Sequence, residues 1–287
     1  MAKRIDIAEA ELRRLYEEEK LSQREVAKVL GCSQTTVWSK MQEYGIQARS
    51  LAEAQIIAQG HAALSHDFNG DLKEKAYLIG FCKGDGHVEM CNENGLTIKV
   101  ECGSTKLEQI ELFVDLFSPY GYIYTKRRKR GQIEAIAFLN LSFAFLLNLE
   151  DNIPDWILAD SEAFFAFLAG YCDAEGHIGI SRGRARFQLQ SYDRNILHQA
   201  HAALLTAGIE FPRPRIGVPK GYIDKRGVKY HQDYWCLQTE AKASLLKLFE
   251  RMGPYLRHAK RIQSMQAAIR NIEERNARSM IRQSNHD

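Results

Sequence analysis

Tyr77-Leu-Ile-Gly-Phe-Cys-Lys-Gly-Asp-Gly-His-Val88 and Phe167-Leu-Ala-Gly-Tyr-Cys-Asp-Ala-Glu-Gly-His-Ile178 are one pattern written twice, 90 residues apart. Aromatic, Leu, Gly, aromatic, Cys, small residue, acid, Gly, His and aliphatic recur in the same order, which is the signature of an internal duplication. Gly80 and Gly84, like Gly170 and Ala174, stand four apart and share one face of a helix. Small residues at that spacing let two helix backbones approach closely. Asp85 and Glu175 then fall in the last helical turn, where an acid opposes the helix dipole and needs another reason to be present. If the two helices pack through their small faces, the two carboxylates arrive side by side, a pairing suited to divalent cations. Gly86 and Gly176 are expected to leave the helix with positive φ and lead into a strand.

The elements after each copy also correspond. A β-hairpin segment is expected at Leu96–Cys102 and at Ala185–Tyr192, and an amphipathic helix at Ser104–Phe117 and at Asp193–Ala207. Further strands end in Ala135–Leu141 and Tyr234–Thr239, each expected to run into another helix. Leu78–Gly86 and Leu168–Gly176, in this setting, resemble the two motif copies of LAGLIDADG homing endonucleases, and the resemblance spans roughly residues 73–265. It implies an α+β fold, a pseudo-two-fold duplicated αββαββα unit forming a saddle over double-stranded DNA. It also implies Mg²⁺-dependent cleavage of both strands across the minor groove, leaving short 3′ overhangs, with Mn²⁺ or Ca²⁺ able to substitute for binding. Asp85 and Glu175 occupy the catalytic, metal-ligand positions, with Gly84 and Ala174 completing the metal set. Lys83 departs from the motif where the second copy keeps Asp173, and altered packing or capping is expected there.

Candidate DNA contacts follow from alternation. Arg182, Arg184, Arg186, Gln188 and Gln190 alternate with Ala185, Phe187 and Leu189, so a strand here shows basic and amide groups on one face. Arg pairs with guanine and Gln with adenine in the major groove. Thr97, Lys99 and Glu101 follow the same logic in the first repeat with fewer cations. Lys126, Arg128 and Arg130 belong to a run of five cations, and Lys220, Lys225, Arg226 and Lys229 cluster in the equivalent part of the second repeat. Such groups contact phosphate and make binding steeply salt-dependent. His87 and His177 follow the motif glycines, either near the scissile phosphate or packed as strand-opening residues. The resemblance also implies an accessory basic or amide residue from the last strand of each unit, for which Asn140, Gln238 and Lys242 are nearest. His87, Cys91 and Cys102 fit no usual zinc-ligand spacing.

The first fifty residues form a separate pattern. Ile7–Lys20 is amphipathic, Ser22 and Glu25 make a capping box, and Ser33 caps a third helix that Gly45 closes. Leu21 to Trp38 resembles the helix-turn-helix units of resolvases, transposases and sigma factors, which places Gln34, Thr35, Ser39 and Lys40 toward the major groove. The expected organisation is a helix-turn-helix domain over 1–50, a linker over 51–72, repeat units over 73–152 and 153–275, and a frayed tail over 276–287.

Composition sets the outer bounds. The chain is 45% hydrophobic and 26% charged, which excludes collagen-like, mucin-like and largely disordered chains. A net charge of +3 does not announce a polyanion partner by itself, so charge placement decides. The six cysteines form no CxxC pair and are expected to be reduced thiols. No signal-like segment follows Met1, and Ala135–Leu149 is too short and interrupted to span a bilayer. An intracellular monomer in cytoplasm or nucleoid, acting on double-stranded DNA in intron homing, is the expected setting. A catalytically silent DNA-binding regulator and an RNA-splicing maturase are the alternatives that the same fold allows.

Overall fold

The computed structural model describes residues 7–49, 54, 65–91, 95–148 and 150–284. The chain forms two compact units, the second starting at His66.

The first unit is helical: α1 (Glu9–Arg13) continuing as a π-helical turn over Arg14–Glu18, α2 (Gln23–Val29) and α3 (Gln34–Glu43). The capping box is present in both directions. Ser22 Oγ accepts from the Glu25 backbone N–H at 3.2 Å, and Glu25 Oε2 accepts from the Ser22 N–H at 2.8 Å. Gly31 and Gly45 sit at φ 65° and 64°, the left-handed region that a side chain would strain. Leu12, Val26, Val37, Met41 and Ile46 form this unit's own core. The Arg49 guanidinium lies 3.9 Å from the Tyr16 ring centroid and donates to the carbonyls of Lys20 and Leu21, tying the chain after α3 back to the first turn.

The second unit repeats one plan. α4 (Leu72–Asp85), β1 (His87–Met90), β2 (Ile98–Ser104), α5 (Leu107–Phe117), β3 (Tyr122–Arg127) and β4 (Ile133–Leu139) make the first copy. α6 (Asp155–Ala159) leads into the second: α7 (Ser161–Glu175), β5 (Gly176–Ser181), β6 (Arg184–Ser191), α8 (Arg194–Thr206), β7 (Arg215–Val218), β8 (Tyr234–Thr239) and α9 (Lys242–Met252). The helix α10 (Ala259–Ser284) closes the described chain. Each copy builds a four-stranded antiparallel sheet, ordered β1-β2-β4-β3 and β5-β6-β8-β7. The two share one core, in which Tyr77, Phe81, Phe165, Phe167 and Tyr171 are fully buried.

The motif helices α4 and α7 cross at their glycines, and the crossing is reciprocal. A Cβ on Gly80 would lie 2.1 Å from the Phe167 carbonyl oxygen, and one on Gly170 would lie 2.1 Å from that of Tyr77. Any side chain at either position pushes the helices apart.

Several expectations need correction. Gly86 (φ −99°) and Gly176 (φ −79°) are extended, not left-handed. Glycine is required there by crowding, because a Cβ would sit 2.8 Å from Cys82 Cα and 2.5 Å from Cys172 Sγ. β4 is followed by a 3₁₀ turn over Leu141–Leu146, not by the α-helix that follows β8. Most of the expected linker lies outside the described residues, but 65–71 belong to the fold. The His66 N–H donates to Tyr120 O at 2.9 Å, and Phe68 packs edge-on to Phe143 at 5.5 Å. The last helix does not fray at residue 275: it runs to Ser284 and docks on the second sheet. Asn271 accepts from the Ala185 N–H at 3.1 Å, while Ala268 and Ile272 are fully buried.

Candidate functional site

Asp85 ends α4 and Glu175 ends α7, so the helix crossing that the small residues permit carries both carboxylates to one place. Glu175 Cγ lies 3.3 Å from the Cβ position of Gly84, on the opposing helix beside Asp85. Asp85 Oδ2 accepts from Gln109 Nε2 at 3.2 Å and from Cys102 Sγ at 3.4 Å, which fixes its orientation. Burial raises the Asp85 pKa, against those two bonds and the nearby charge of Lys106. Burial, then the charges of Asp85 and Asp193, push Glu175 up to about 7. Two carboxylates that disfavour their own charge are a donor set that a divalent cation fits, since it relieves both desolvation and mutual repulsion. Among the described residues, no three or more His, Cys, Asp or Glu gather into a group placed to hold a metal ion, so the two acids stand as a pair.

The surroundings of the two acids differ. Asp193 stands at the N-cap position of α8, and its carboxylate accepts from Tyr171 Oη at 2.7 Å and Ser191 Oγ at 2.9 Å rather than from the helix. Its counterpart at the start of α5 is Lys106. Lys106, Glu175, His177, Lys260, Arg261 and Ser264 line a cleft of about 510 Å³. His177 is exposed there, and its pKa is lowered by burial and then by Arg261, Arg186, Lys260 and Lys106. His87 turns to Glu89, 3.4 Å away. Asn140 bonds Asp67 at 2.8 Å and caps the 3₁₀ turn, Lys242 bonds Asn276 at 2.7 Å, and Gln238 accepts from Cys236 Sγ at 3.4 Å. The residues that surround the acids are therefore Gln109, Cys102, Lys106, Asp193 and Arg261, which the reading of the sequence missed. The helix-start equivalence of Lys106 and Asp193 was the available signal. Lys83 points away from the site and donates to Glu150 O at 2.6 Å.

The candidate DNA contacts divide by sheet. Arg184 is exposed on β6, with Gln188 and Gln190 half-buried on the same face. Arg182 is not on the strand but in the turn, at φ 50°, followed by Gly183 at 76°. Arg186 is held by Glu240. Lys220, Lys225, Arg226 and Lys229 are exposed between β7 and β8, Arg226 pairing with Asp224. On the first sheet Lys99 is bracketed by Glu89 and Glu101, and Arg128 by Glu134, whereas Lys126 is exposed. The side chain of Arg130 lies outside the described residues. In the helical unit, Gln34, Thr35 and Ser39 share the exposed face of α3 with Trp38 and Gln42. Lys40 is turned off that face, paired with Glu43 at 2.8 Å and lying over the Tyr44 ring.

With this geometry in place, the comparisons identify the parts. Residues 9–47 match a helix-turn-helix domain family, and residues 162–253 match a LAGLIDADG-like domain family. The chain joins an N-terminal segment that matches a helix-turn-helix family to a duplicated α+β unit with two four-stranded antiparallel sheets, whose second copy matches the LAGLIDADG-like family. Among solved structures, the complex of the homing endonuclease I-DmoI with DNA and Ca is 13% identical, covering 68% of this chain and 98% of that one, at a TM-score of 0.46. Full-length DUF199/WhiA from Thermatoga maritima is 16% identical, covering 78% of this chain and 69% of that one, also at 0.46. No described helix is long and apolar enough to cross a membrane, and all six cysteines are free thiols.

Proposed function

We propose that this protein is a site-specific double-stranded DNA endonuclease, hydrolysing one phosphodiester on each strand across the minor groove to leave short 3′ overhangs. The observation that carries this reading is the convergence of Asp85 and Glu175, half-buried, from two helices held together by small residues. A pure binder gains nothing from acids turned toward phosphate, and their charge is opposed by their own surroundings. Asp85 and Glu175, with Gly84 and Ala174, would hold a divalent cation, Mg²⁺ foremost. When bound, such an ion lowers the pKa of water and offsets charge on the phosphate. The protein's own share is orientation. Gln109 and Cys102 aim the Asp85 carboxylate, and the α4–α7 crossing sets the spacing between the two acids. Arg184, Gln188 and Gln190 read base edges, and the cations between β7 and β8 meet phosphates. The unlike sheet faces suit a long asymmetric target bound by a single chain, as in intron homing inside a cell.

The test is cleavage of a randomised duplex library in Mg²⁺ by wild type, Asp85→Asn and Glu175→Gln. Library molecules cut to 3′ overhangs by wild type alone support the nuclease. Enrichment by binding without any cleavage replaces it with a DNA-binding regulator.

A further inference from the structure

Two of the cations around Glu175, Lys260 and Arg261, have no equivalent beside Asp85, while Lys106 lines the same cleft and also acts on Asp85. Lys260 and Arg261 lie in the first turn of α10, a helix outside the duplicated pattern. Among the described residues the first copy ends in the 3₁₀ turn at Leu141–Leu146, and no corresponding helix follows it. Lys106 joins them in the lining of the cleft from the start of α5. None of the three forms an ion pair with a carboxylate among the described residues, unlike Lys99, Arg128 and Arg186.

What holds α10 there is the position at which the two motifs diverge. Asp173 is fully buried, and its Oδ2 accepts from Tyr77 Oη at 2.7 Å and from the N–H groups of Arg257 at 2.8 Å and His258 at 3.1 Å. The chain entering α10 is thereby tied to the motif helix. Arg261 Nε donates to Cys172 O at 3.3 Å, one turn before Glu175, so its guanidinium is anchored to the same helix end. Lys83, at the matching place, instead bonds the Glu150 carbonyl, in the segment before α6.

We propose that Lys106, Lys260 and Arg261 form a phosphate seat beside Glu175 that takes the backbone of one DNA strand. The lack of a counterpart to Lys260 and Arg261 beside Asp85 makes the two strands unequal, one being cut ahead of the other. This deepens the nuclease reading and rests on it. Three cations around a half-enclosed cleft suit a monoanionic phosphate diester, and a guanidinium held by one N–H keeps its remaining donors for bidentate contact.

Strand-resolved cleavage tests it. A duplex that wild type cuts is labelled on one strand at a time and also supplied in a supercoiled plasmid. Arg261→Gln is expected to slow one strand by about tenfold or more while the other stays within about twofold, so that nicked circles accumulate. Arg261→Lys keeps part of the rate, and Arg278→Gln, at the far end of α10, behaves as wild type. Equal slowing of both strands, or no slowing, overturns the seat. Anisotropy titrations of duplex binding in Ca²⁺ across a salt series separate this proposal from its foundation. Removing Lys106, Lys260 or Arg261 as Gln should each reduce the log–log salt slope by about 1. A wild type that cuts no DNA while these slopes still fall sinks the nuclease and keeps the phosphate seat. Unchanged slopes sink the seat even where cleavage is intact, and thermal melts verify that each variant is folded.

Discussion

At the scale of single residues, the proposed function and stability pull in opposite directions at Glu175. Its pKa is raised to about 7 in the fold from an ordinary 4.5, burial being the largest cause. As pH rises from about 4.5, the unfolded chain loses this proton first and the folded state is progressively disfavoured until about pH 7. Glu175→Gln removes that penalty. The variant should melt on the order of a few °C above wild type at pH 8, match it near pH 4.5, and cut no DNA. Calorimetry at the two pH values checks this, and an equal melting difference at both would show that ionisation is not the cause. The same residue could be singled out from sequence because an acid at a helix C-terminus contradicts the dipole. Gln109 and Cys102 could not, since an amide and a thiol break no local rule, and only the fold brings them to Asp85.

Elements show where local pattern ends and packing begins. The repeat of small residues was enough to place α4 against α7, and the reciprocal 2.1 Å approaches at Gly80 and Gly170 are its physical content. Gly80→Ala and Gly170→Ala should each destabilise by about 1–3 kcal/mol or more, because a backbone carbonyl cannot yield as a flexible side chain does. Chemical denaturation measures it, and a cost near zero at either position would mean the helices separate freely. Alternation likewise exposed the polar face of β6, but it also drew Arg182 onto the strand, because period alone cannot see a two-residue turn with positive φ. Extension of α10 to Ser284 was hidden because its docking surface is a sheet far away in sequence. The start of α10 also holds a buried histidine. His258 is nearly fully buried, and its Nδ1 accepts from the Lys260 N–H at 3.2 Å. Burial, then Arg261, lower its pKa below the ordinary 6.5. The stabilisation is present above about pH 6.5 and is lost as pH falls below it, because the unfolded chain takes up the proton first. Hydrogen exchange in the first turns of α10 should quicken relative to α4 as pH drops from 7.5 to about 5.5, after correction for intrinsic rates. No relative change would remove His258 from the anchoring of this helix.

On the scale of the whole molecule, two separate hydrophobic cores matter more than total charge. Leu12, Val26, Val37 and Met41 serve the first unit, while Phe81, Phe113, Phe167 and Phe187 serve the second. A net charge of +3 gives little general attraction to DNA, and much of the first sheet's positive charge is already committed to Glu89, Glu101 and Glu134. On the proposed reading, affinity then comes from local groups and from joining two modest binders on one chain. Joining makes the second engagement intramolecular, which raises overall affinity by about 10²–10⁴ without any new contact. Residues 65–287 alone should therefore bind the target about 10²-fold or more weakly than the full chain, while the cleavage rate at saturating enzyme stays within about twofold. Gln34→Ala or Trp38→Ala on the exposed face of α3 should move affinity in the same direction by about tenfold, since base-edge and apolar contacts there contribute about 1–3 kcal/mol each. Single-turnover cleavage and equilibrium binding, measured on the same duplex, separate the two effects. Loss of the saturated rate on truncation would mean that the helical unit takes part in assembling the cleavage site and is more than a second hold on the DNA.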